Sequence, residues 1–352
     1  MTELLVGTKK GLFLLDGEDG AFAVRGRAFA GEPVDYVMRD PGSGRLLAAV
    51  TSPFYGAKIF HAEDPGGEWQ QSAGVELPSG GDAALERIWV IVAGEGGRLY
   101  AGGDPGVLFT SDDGGLTWAL QRPFWEQPTR PDWQPGGGGL CLHSIVPWPG
   151  DPDRLALAVS AVGVWLTDDG GTTWRHGNDG LVAGYLPDDA PRGGFDLCVH
   201  DLHRSPARPE RLFMQFHGGV YRSDDAGESW TDIGAGLPSD FGFPLAVDPA
   251  DPDSAFVIPL SADTDRVTPD GRVRVYETRD AGATWTPRGE GLPAEHAYLT
   301  VLRQAFDRAG EGDGLELYFG ATSGDVFGSR DAGATWFTAA QHLPPVYSVR
   351  VG

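Results

Sequence analysis

The sequence predicts an all-β fold, a single seven-bladed β-propeller domain that spans residues 1–352. Three observations lead to this prediction. A short motif recurs with a period near 50 residues, which is typical of propellers and solenoids. The chain contains 53 glycines and 27 prolines, as expected for short strands joined by tight turns. Finally, the two chain ends together carry the strands that one further blade needs.

The recurring motif, which we call the box, is a hydroxyl residue, any residue, Asp, any residue, Gly, two further residues and Trp. Its aspartates are Asp113, Asp169, Asp225, Asp280 and Asp331, and a weaker copy with Ala62 at the hydroxyl position contains Asp64. The six Trp positions lie 49, 56, 56, 55 and 51 residues apart. Asp can accept backbone N–H bonds within a turn, Gly supplies a positive φ, and Trp buries a large apolar surface. We therefore interpret the six aspartates as structural residues of hairpin turns.

Four strands surround each box. In the third unit they are predicted at residues 87–93, 98–102, 107–110 and 117–121, and in the fifth at 198–203, 211–216, 219–222 and 229–233. The box always joins the third strand to the fourth, and six such units cover residues 33–343. The N-terminal end supplies three strands and the C-terminal end supplies one, so we predict that residues 1–30 and 344–352 form blade 1 together. Closure of this kind removes the exposed edges of an open sheet.

This repeat resembles that of the Asp-box (BNR) propellers, which include sialidases, sortilin-type receptors, xyloglucan hydrolases and a photosystem II assembly factor. The chain is most similar to bacterial single-domain members that are labelled glycosyl hydrolase or exo-α-sialidase. The resemblance implies the propeller fold, and it implies that the boxes lie on the face opposite the usual active site. It implies no single activity, because the superfamily combines hydrolases with binding proteins.

Charge and composition narrow the range of partners. The formal net charge is −23, which repels phosphate backbones and anionic lipids, so we predict neither a nucleic-acid partner nor a membrane partner. The N-terminus lacks the order of a signal peptide, and no apolar run reaches the roughly 18 residues of a membrane-spanning helix. The only cysteines are Cys141 and Cys198, too few for a disulfide framework. We therefore predict an acidic, cytoplasmic protein, with a mature secreted chain whose signal peptide has been removed as the alternative.

Long connections and strand starts gather on the face opposite the boxes, where we expect function. The long connections are residues 122–139, 175–196 and 261–271. The starts of the first strands, which line the central channel, carry Tyr36, Arg87, Trp89, His143, His200, Phe243, Tyr298 and Tyr347. We predict that a small molecule or glycan binds here, with contacts from Tyr36, Trp89, Trp125, Trp133, Tyr185 and Tyr298.

Two matching tripeptides, Cys141-Leu142-His143 and Cys198-Val199-His200, begin the fourth and fifth blades. Because side chains alternate along a strand, each Cys and its His should share one face. One hypothesis is a divalent metal at His143, His200 and His217, and no other cofactor is predicted. Another is that these are buried cysteines beside hydrogen-bonded core histidines. A third is direct catalysis by His143 and His200, with Arg87 and Asp196 as further catalytic candidates.

Known chemistries fit the sequence unequally. Resemblance to sialidases implies an Arg triad and a Phe-Arg-Ile-Pro element, and because no such element is found, true sialidase activity is not predicted. A glycosidase needs two carboxylates across its pocket, and the candidates near the correct face are Asp35, Glu86, Asp188, Asp189, Asp196 and Asp201. Three functions remain open. They are glycan or small-molecule binding with or without glycoside hydrolysis, a metal-dependent lyase or hydrolase, and a scaffold with a protein partner.

Overall fold

The computed structural model describes residues 2–18, 20–79, 83–184, 196–262 and 264–352. Its strands form seven four-stranded sheets, and every paired strand within them is antiparallel to its neighbour. Each sheet is one blade, so the predicted all-β, seven-bladed propeller is confirmed. In the part of the chain that is described, no helix is long and apolar enough to cross a membrane.

The blades follow the chain in order, with the innermost strand named first except in blade 1. Blade 1 contains β1 (Thr2–Thr8), β2 (Gly11–Glu18), β3 (Ala21–Ala28) and β28 (Val346–Val351). Blade 2 contains β4 (Val34–Arg39), β5 (Leu46–Ser52), β6 (Gly56–Ala62) and β7 (Gln70–Gln71). Blade 3 contains β8 (Arg87–Ala93), β9 (Leu99–Asp104), β10 (Val107–Ser111) and β11 (Ala119–Leu120). Blade 4 contains β12 (Leu142–Trp148), β13 (Asp151–Val159), β14 (Gly163–Thr167) and β15 (Arg175–His176).

The remaining blades have the same arrangement. Blade 5 contains β16 (Val199–Arg204), β17 (Leu212–Phe216), β18 (Gly219–Ser223) and β19 (Thr231–Asp232). Blade 6 contains β20 (Gly242–Val247), β21 (Ala255–Pro259), β22 (Val275–Thr278) and β23 (Thr286–Arg288). Blade 7 contains β24 (Phe306–Ala309), β25 (Glu316–Gly320), β26 (Val326–Ser329) and β27 (Phe337–Ala340). Short helical turns occupy Glu95–Gly97, Arg122–Trp125, Arg130–Asp132, Pro269–Gly271 and Gly312–Gly314.

Both chain ends contribute to blade 1, as the sequence predicts. The sheet order is β28-β1-β2-β3, so the C-terminal strand is the innermost strand of this blade. Val6 pairs with Val349, and the Gly352 N–H donates to the Glu3 carbonyl oxygen at 3.0 Å. The ring is therefore closed by backbone hydrogen bonds between the two ends of the chain.

The apolar core lies between neighbouring sheets. One buried cluster joins blades 2, 3 and 4 and includes Tyr36, Trp118 and Trp165. A second joins blades 6, 7 and 1 and includes Phe319 and Val349. Smaller clusters join blade 4 to 5, blade 5 to 6 and blade 1 to 2, so each blade packs against the blade on either side, as expected for a repeat architecture.

Each of the five complete boxes forms the same hydrogen-bonded turn between the third and fourth strands. In blade 3 the Asp113 carboxylate accepts the Ser111 hydroxyl at 2.8 Å, the Thr117 N–H at 3.0 Å and the Thr117 hydroxyl at 2.6 Å. The same three bonds form at Asp169, Asp225, Asp280 and Asp331. In the weaker copy, Asp64 accepts the Gly66 N–H at 2.8 Å. The boxes lie on one face of the ring, the box face. The opposite face, which carries the connections between blades, is the loop face.

The outermost strands of blades 3 and 5 are shorter than the sequence predicts, because their first residues pair with the preceding blade instead. Parallel bridges link Ala73 to Thr117 and Asp179 to Ser229. The Trp118 N–H donates to the Ala73 carbonyl oxygen at 2.9 Å. The start of each of these outer strands therefore connects two blades.

The box carboxylates should make the stability of the fold depend on pH in the acidic range. The Thr173 N–H and hydroxyl hold the pKa of Asp169 at about 2, whereas an unfolded Asp has a pKa of about 3.9. This stabilisation is present above the unfolded pKa and is lost as the pH falls from about 4 to about 2. We expect Asp169→Asn to have a lower Tm than wild type near neutral pH, and the difference should shrink through that window in thermal melts. Asp313→Asn, on an exposed turn, is the control. A Tm difference that stayed constant with pH would contradict this assignment.

Candidate functional site

A β-bulge interrupts the innermost strand of blades 2 to 5 close to the loop face. The strand register shifts between Val34 and Tyr36, Ile88 and Val90, Leu142 and Ser144, and Val199 and Asp201. The residues within these bulges are Asp35, Trp89, His143 and His200. A bulge leaves one residue unpaired and redirects its side chain. Four successive blades therefore each present one redirected side chain near the mouth of the channel.

His143 and His200 use their redirected rings to connect neighbouring blades. The His143 Nε2 lies 2.9 Å from the Val199 carbonyl oxygen, and the His200 Nδ1 lies 2.6 Å from the Gly242 carbonyl oxygen. Because a carbonyl only accepts, each of these ring nitrogens carries the hydrogen. Burial holds the pKa of both histidines well below the usual range. The remaining nitrogen of His143, Nδ1, lies 3.0 Å from the Ser144 hydroxyl, so both nitrogens of this ring have partners.

Cys198, His200 and His217 converge in blade 5. Their potential ligand atoms all lie within 4.8 Å of one another. The backbone N–H of His217 donates to the Cys198 carbonyl oxygen at 2.9 Å. The ring centroids of His200 and His217 are 5.3 Å apart. Of the three metal ligands predicted from sequence, the structure therefore brings His200 and His217 together. His143 is outside this cluster, and Cys198 takes the third place.

Arg303 extends from blade 7 over the channel. Its guanidinium carbon lies 4.9 Å from the ring centroid of Trp89 in blade 3 and 5.7 Å from that of Phe243 in blade 6. Burial raises the pKa of the Cys141 thiol in blade 4, and the positive charge of Arg303 opposes that rise. Its ring contacts in blades 3 and 6 place this guanidinium across the loop-face mouth. Among the described residues, no carboxylate oxygen lies within 4.0 Å of it.

Arg87 is a second cation at the same mouth. Its guanidinium carbon lies 4.6 Å from the Trp89 ring centroid, and its side chain is 37% exposed. Its Nε lies 3.3 Å from the buried Asp35 carboxylate. Burial raises the pKa of Asp35 and the pKa of Asp104. The positive charge of the nearby Arg87 opposes the rise at both carboxyl groups. Trp89 therefore contacts two arginines, and within the described part of the chain only Arg87 has a carboxylate partner.

A belt of hydrogen bonds crosses the channel below this mouth. The Arg350 Nε donates to the Tyr36 hydroxyl at 2.8 Å, and the Gln304 Nε2 donates to the His143 carbonyl oxygen at 2.8 Å. Gln304 and His143 belong to blades 7 and 4, which are not neighbours, so their bond spans the channel. Arg350 also donates to the Gln304 side chain. Tyr36 is therefore a buried member of this belt.

A cavity of about 510 Å³ opens from the belt toward the box face. Its lining includes Tyr36, His143, Asp201, Gln304, Arg308 and Arg350. Asp201 is one of the candidate glycosidase carboxylates, and it already accepts the Ser144 hydroxyl and the N–H groups of Leu202 and Leu245. The sequence placed function on the loop face alone and did not indicate this cavity.

The tryptophans of the long connection at residues 122–139 belong to the packing of that connection. Trp133 is only 4% exposed, its ring packs against Phe124 and Trp165, and its Nε1 donates to Thr129. Trp133, which the sequence predicts as a ligand contact, is therefore a buried packing residue of this connection. The Arg130 guanidinium carbon lies 3.7 Å from the ring centroid of Trp125, so that ring is partly covered.

Three further predicted residues lie away from the channel wall or outside the described chain. Tyr298 is 64% exposed and lies in the connection that precedes blade 7, against Gly271, rather than at the start of the first strand. Asp196 is exposed, just before the Cys198 cluster. Tyr185 lies outside the described residues.

Comparisons with known proteins identify the fold. No protein-family model and no curated protein matches this chain. Among solved structures it is similar to an ancestral GH74 enzyme at 15% identity and TM-score 0.56, over 91% of this chain and 38% of that one. It is also similar to the GH74 enzyme of Niastella koreensis at 16% identity and TM-score 0.56, over 98% and 65%.

A third similar structure is YCF48 bound to D1 peptide, at 15% identity and TM-score 0.56, over 90% of this chain and 86% of that one. The chain thus spans less than two thirds of the length of the two GH74 enzymes. At these identities the similarity shows a shared β-propeller fold.

Proposed function

We propose that this propeller binds a small anionic ligand, one that carries a carboxylate or a phosphate, at the loop-face mouth of its channel between Arg87 and Arg303. The observation that carries the proposal is the position of Arg303. Its guanidinium contacts the rings of Trp89 and Phe243, lies across the channel, and has no carboxylate within salt-bridge distance among the described residues.

The charge of the chain makes this position informative. The chain has 50 acidic residues and 27 basic ones, so carboxylates greatly outnumber the cationic side chains with which they could pair. An arginine with only a structural role could therefore readily have a carboxylate partner. A guanidinium has donors in a planar fork that matches carboxylate and phosphate oxygens, and such charge-assisted bonds are stronger than neutral ones. Between aromatic walls, the lower effective dielectric strengthens the attraction further. The site is therefore suited to an incoming anion.

The aromatic rings define the rest of the ligand. Trp89 and Phe243 flank Arg303, so the anionic group would be bound beside apolar surfaces that suit the less polar face of a sugar ring or another flat group. A sugar acid or a sugar phosphate satisfies both requirements. The fold neighbours include GH74 enzymes and a peptide-bound YCF48, so the fold leaves the ligand open, and the choice of an anion rests on Arg303.

The test compares probes of similar size and different charge. We expect glucuronate and glucose 6-phosphate to raise the Tm of the wild-type protein, since a ligand that binds only the folded state stabilises it by mass action. Glucose should have little effect. Arg303→Met should weaken the binding of both anions about 10- to 100-fold in calorimetric titrations, as expected for the loss of a charged hydrogen-bond donor.

The matched control is Arg122→Met, which removes an exposed arginine paired with Glu126 and outside the channel. It should leave anion binding unchanged. The proposal would be wrong if glucose stabilised the protein as much as glucuronate did, if neither anion bound, or if Arg303→Met bound them as tightly as wild type.

A further inference from the structure

We infer that Cys198, His200 and His217 form a binding site for a thiophilic divalent metal ion of the zinc type, separate from the anion site at Arg303. Side chains of these types bind Zn²⁺ through one thiolate and two imidazole nitrogens. The thiol proton would pass to the buffer when the metal binds. None of the three metal ligands belongs to the proposed anion site, and Phe243 packs against both Arg303 and His200.

The backbone of blade 5 fixes all three ligands. Cys198 directly precedes β16, His200 occupies the bulge in that strand, and His217 begins the turn between β17 and β18. The hydrogen bond from the His217 N–H to the Cys198 carbonyl oxygen continues the β16–β17 pairing by one step. Ligand atoms of a tetrahedral zinc site lie roughly 3.5 Å apart, given metal–ligand distances near 2.0–2.3 Å. The observed limit of 4.8 Å therefore requires only a small adjustment of the side chains.

The hydrogen bond of His200 orients its ring as a metal ligand. Because Nδ1 donates to the Gly242 carbonyl oxygen at 2.6 Å, Nε2 carries the lone pair. Metal-bound histidines almost always donate their other ring N–H to a carbonyl or carboxylate in this way. Phe241 and Phe243 pack against the His200 ring and hold it in place.

Blade 4 contains a natural control for this site. Cys141 and His143 of blade 4 occupy the positions of Cys198 and His200 of blade 5. The backbone N–H of Ser160 donates to the Cys141 carbonyl oxygen at 2.9 Å, just as the backbone N–H of His217 donates to the Cys198 carbonyl oxygen. Blade 4 thus has serine where blade 5 has the third ligand. The same backbone therefore supports a metal site in blade 5 and packing in blade 4.

The ligand types select the metal. One thiolate and two imidazoles favour Zn²⁺ and related transition metals, whereas Mg²⁺ and Ca²⁺ require oxygen ligands. Cys198 and His217 are both partly exposed, while His200 is buried. Three protein ligands and an accessible side leave a fourth coordination position for water or an exogenous ligand, as in catalytic zinc sites.

The experiment titrates chelator-treated full-length protein with Zn²⁺ by calorimetry and with Co²⁺ by absorption spectroscopy. We expect one metal ion per chain and a thiolate-to-cobalt charge-transfer band in the near ultraviolet. Cys198→Ser should abolish that band, and both Cys198→Ser and His217→Ala should weaken Zn²⁺ binding by more than about 100-fold. Circular dichroism of the metal-free variants would establish that they remain folded.

Two further variants separate the possible results. Cys141→Ser, the matched cysteine of blade 4, should bind Zn²⁺ and Co²⁺ as wild type does, and Arg303→Met should keep metal binding even where it loses glucuronate. The inference is overturned if folded wild-type protein binds no stoichiometric Zn²⁺, if Cys198→Ser keeps the affinity and the cobalt band, or if Cys141→Ser loses them to the same extent.

Discussion

Arg350→Met should lower the free energy of unfolding by about 2–4 kcal/mol, because it removes the donor that pairs with the buried Tyr36 hydroxyl and with the Gln304 side-chain oxygen. Arg350 donates to the Tyr36 hydroxyl at 2.8 Å, to the Gln304 carbonyl oxygen at 2.9 Å and to the Gln304 side chain. Tyr36 and Gln304 are buried, whereas Arg350 itself is half-buried, with part of its surface toward the cavity. The estimate is therefore below that for a fully enclosed ion pair.

Urea unfolding of wild type and variants measures this effect. Arg350→Lys, which keeps the charge but loses the planar fork, should have an intermediate stability. Arg122→Met removes an exposed ion pair with Glu126 and should cost less than about 1 kcal/mol. If the free energy of unfolding of Arg350→Met were within about 1 kcal/mol of the wild-type value, the belt across the channel would contribute little to the stability of the ring.

The same belt separates the two ends of the channel. The bond between Gln304 and the His143 carbonyl oxygen joins opposite sides of the ring, with Arg303 on the loop-face side and the cavity on the box-face side. A ligand bound at Arg303 is therefore separated from that cavity by hydrogen-bonded side chains. For this reason we place the anion site and the cavity in different compartments of the molecule.

The sequence predicted the fold because the boxes report on local backbone chemistry. Each Asp, hydroxyl and Gly acts within its own turn, so five repeats of the pattern locate five turns without any knowledge of the tertiary structure. Blade closure followed from counting strands at the two ends. The observed order β28-β1-β2-β3 agrees with that count.

The site was predicted less well because the prediction assumed strict alternation along each inner strand. Under that assumption Cys141 with His143, and Cys198 with His200, should present equivalent pairs. The bulges at His143 and His200 break the alternation, and the decisive difference lies elsewhere, in the turn residue that is His217 in blade 5 and Ser160 in blade 4. A comparison of the second-to-third turns between blades would have revealed this difference.

Arg303 was not selected as a site residue because the start of blade 7 was placed too early. Tyr298 was predicted to lie at the start of the inner strand, but the connection continues past it and β24 begins at Phe306. Arg303 and Gln304 therefore occupy the positions next to the channel. The spacing of the boxes alone cannot locate this start, because the length of a connection between blades varies independently of the box.

Gly291→Ala should be more destabilising than any ordinary glycine substitution in a turn, at about 3–5 kcal/mol. Gly291 has φ +90°, and a Cβ there would lie 2.0 Å from the Trp336 carbonyl oxygen of the next blade. At this point the Trp336 N–H donates to the Glu290 carbonyl oxygen at 2.8 Å, so the two backbones cannot move apart without losing the bond between blades. The cost should therefore combine strain at a positive φ with overpacking against a fixed carbonyl.

Gly236→Ala separates the two contributions. Gly236 has φ +93°, nearly the same as Gly291, but nothing lies within 4 Å of its added Cβ. It should cost only about 1–2 kcal/mol, the strain of a left-handed backbone alone, in the same urea unfolding experiment. If the two variants lost the same free energy of unfolding, the contact between Gly291 and the Trp336 carbonyl oxygen of the next blade would add nothing to the cost of the substitution. Gly74 meets the Trp118 carbonyl oxygen at the same 2.0 Å, so Gly74→Ala should follow Gly291→Ala if this backbone contact is a general way of joining blades.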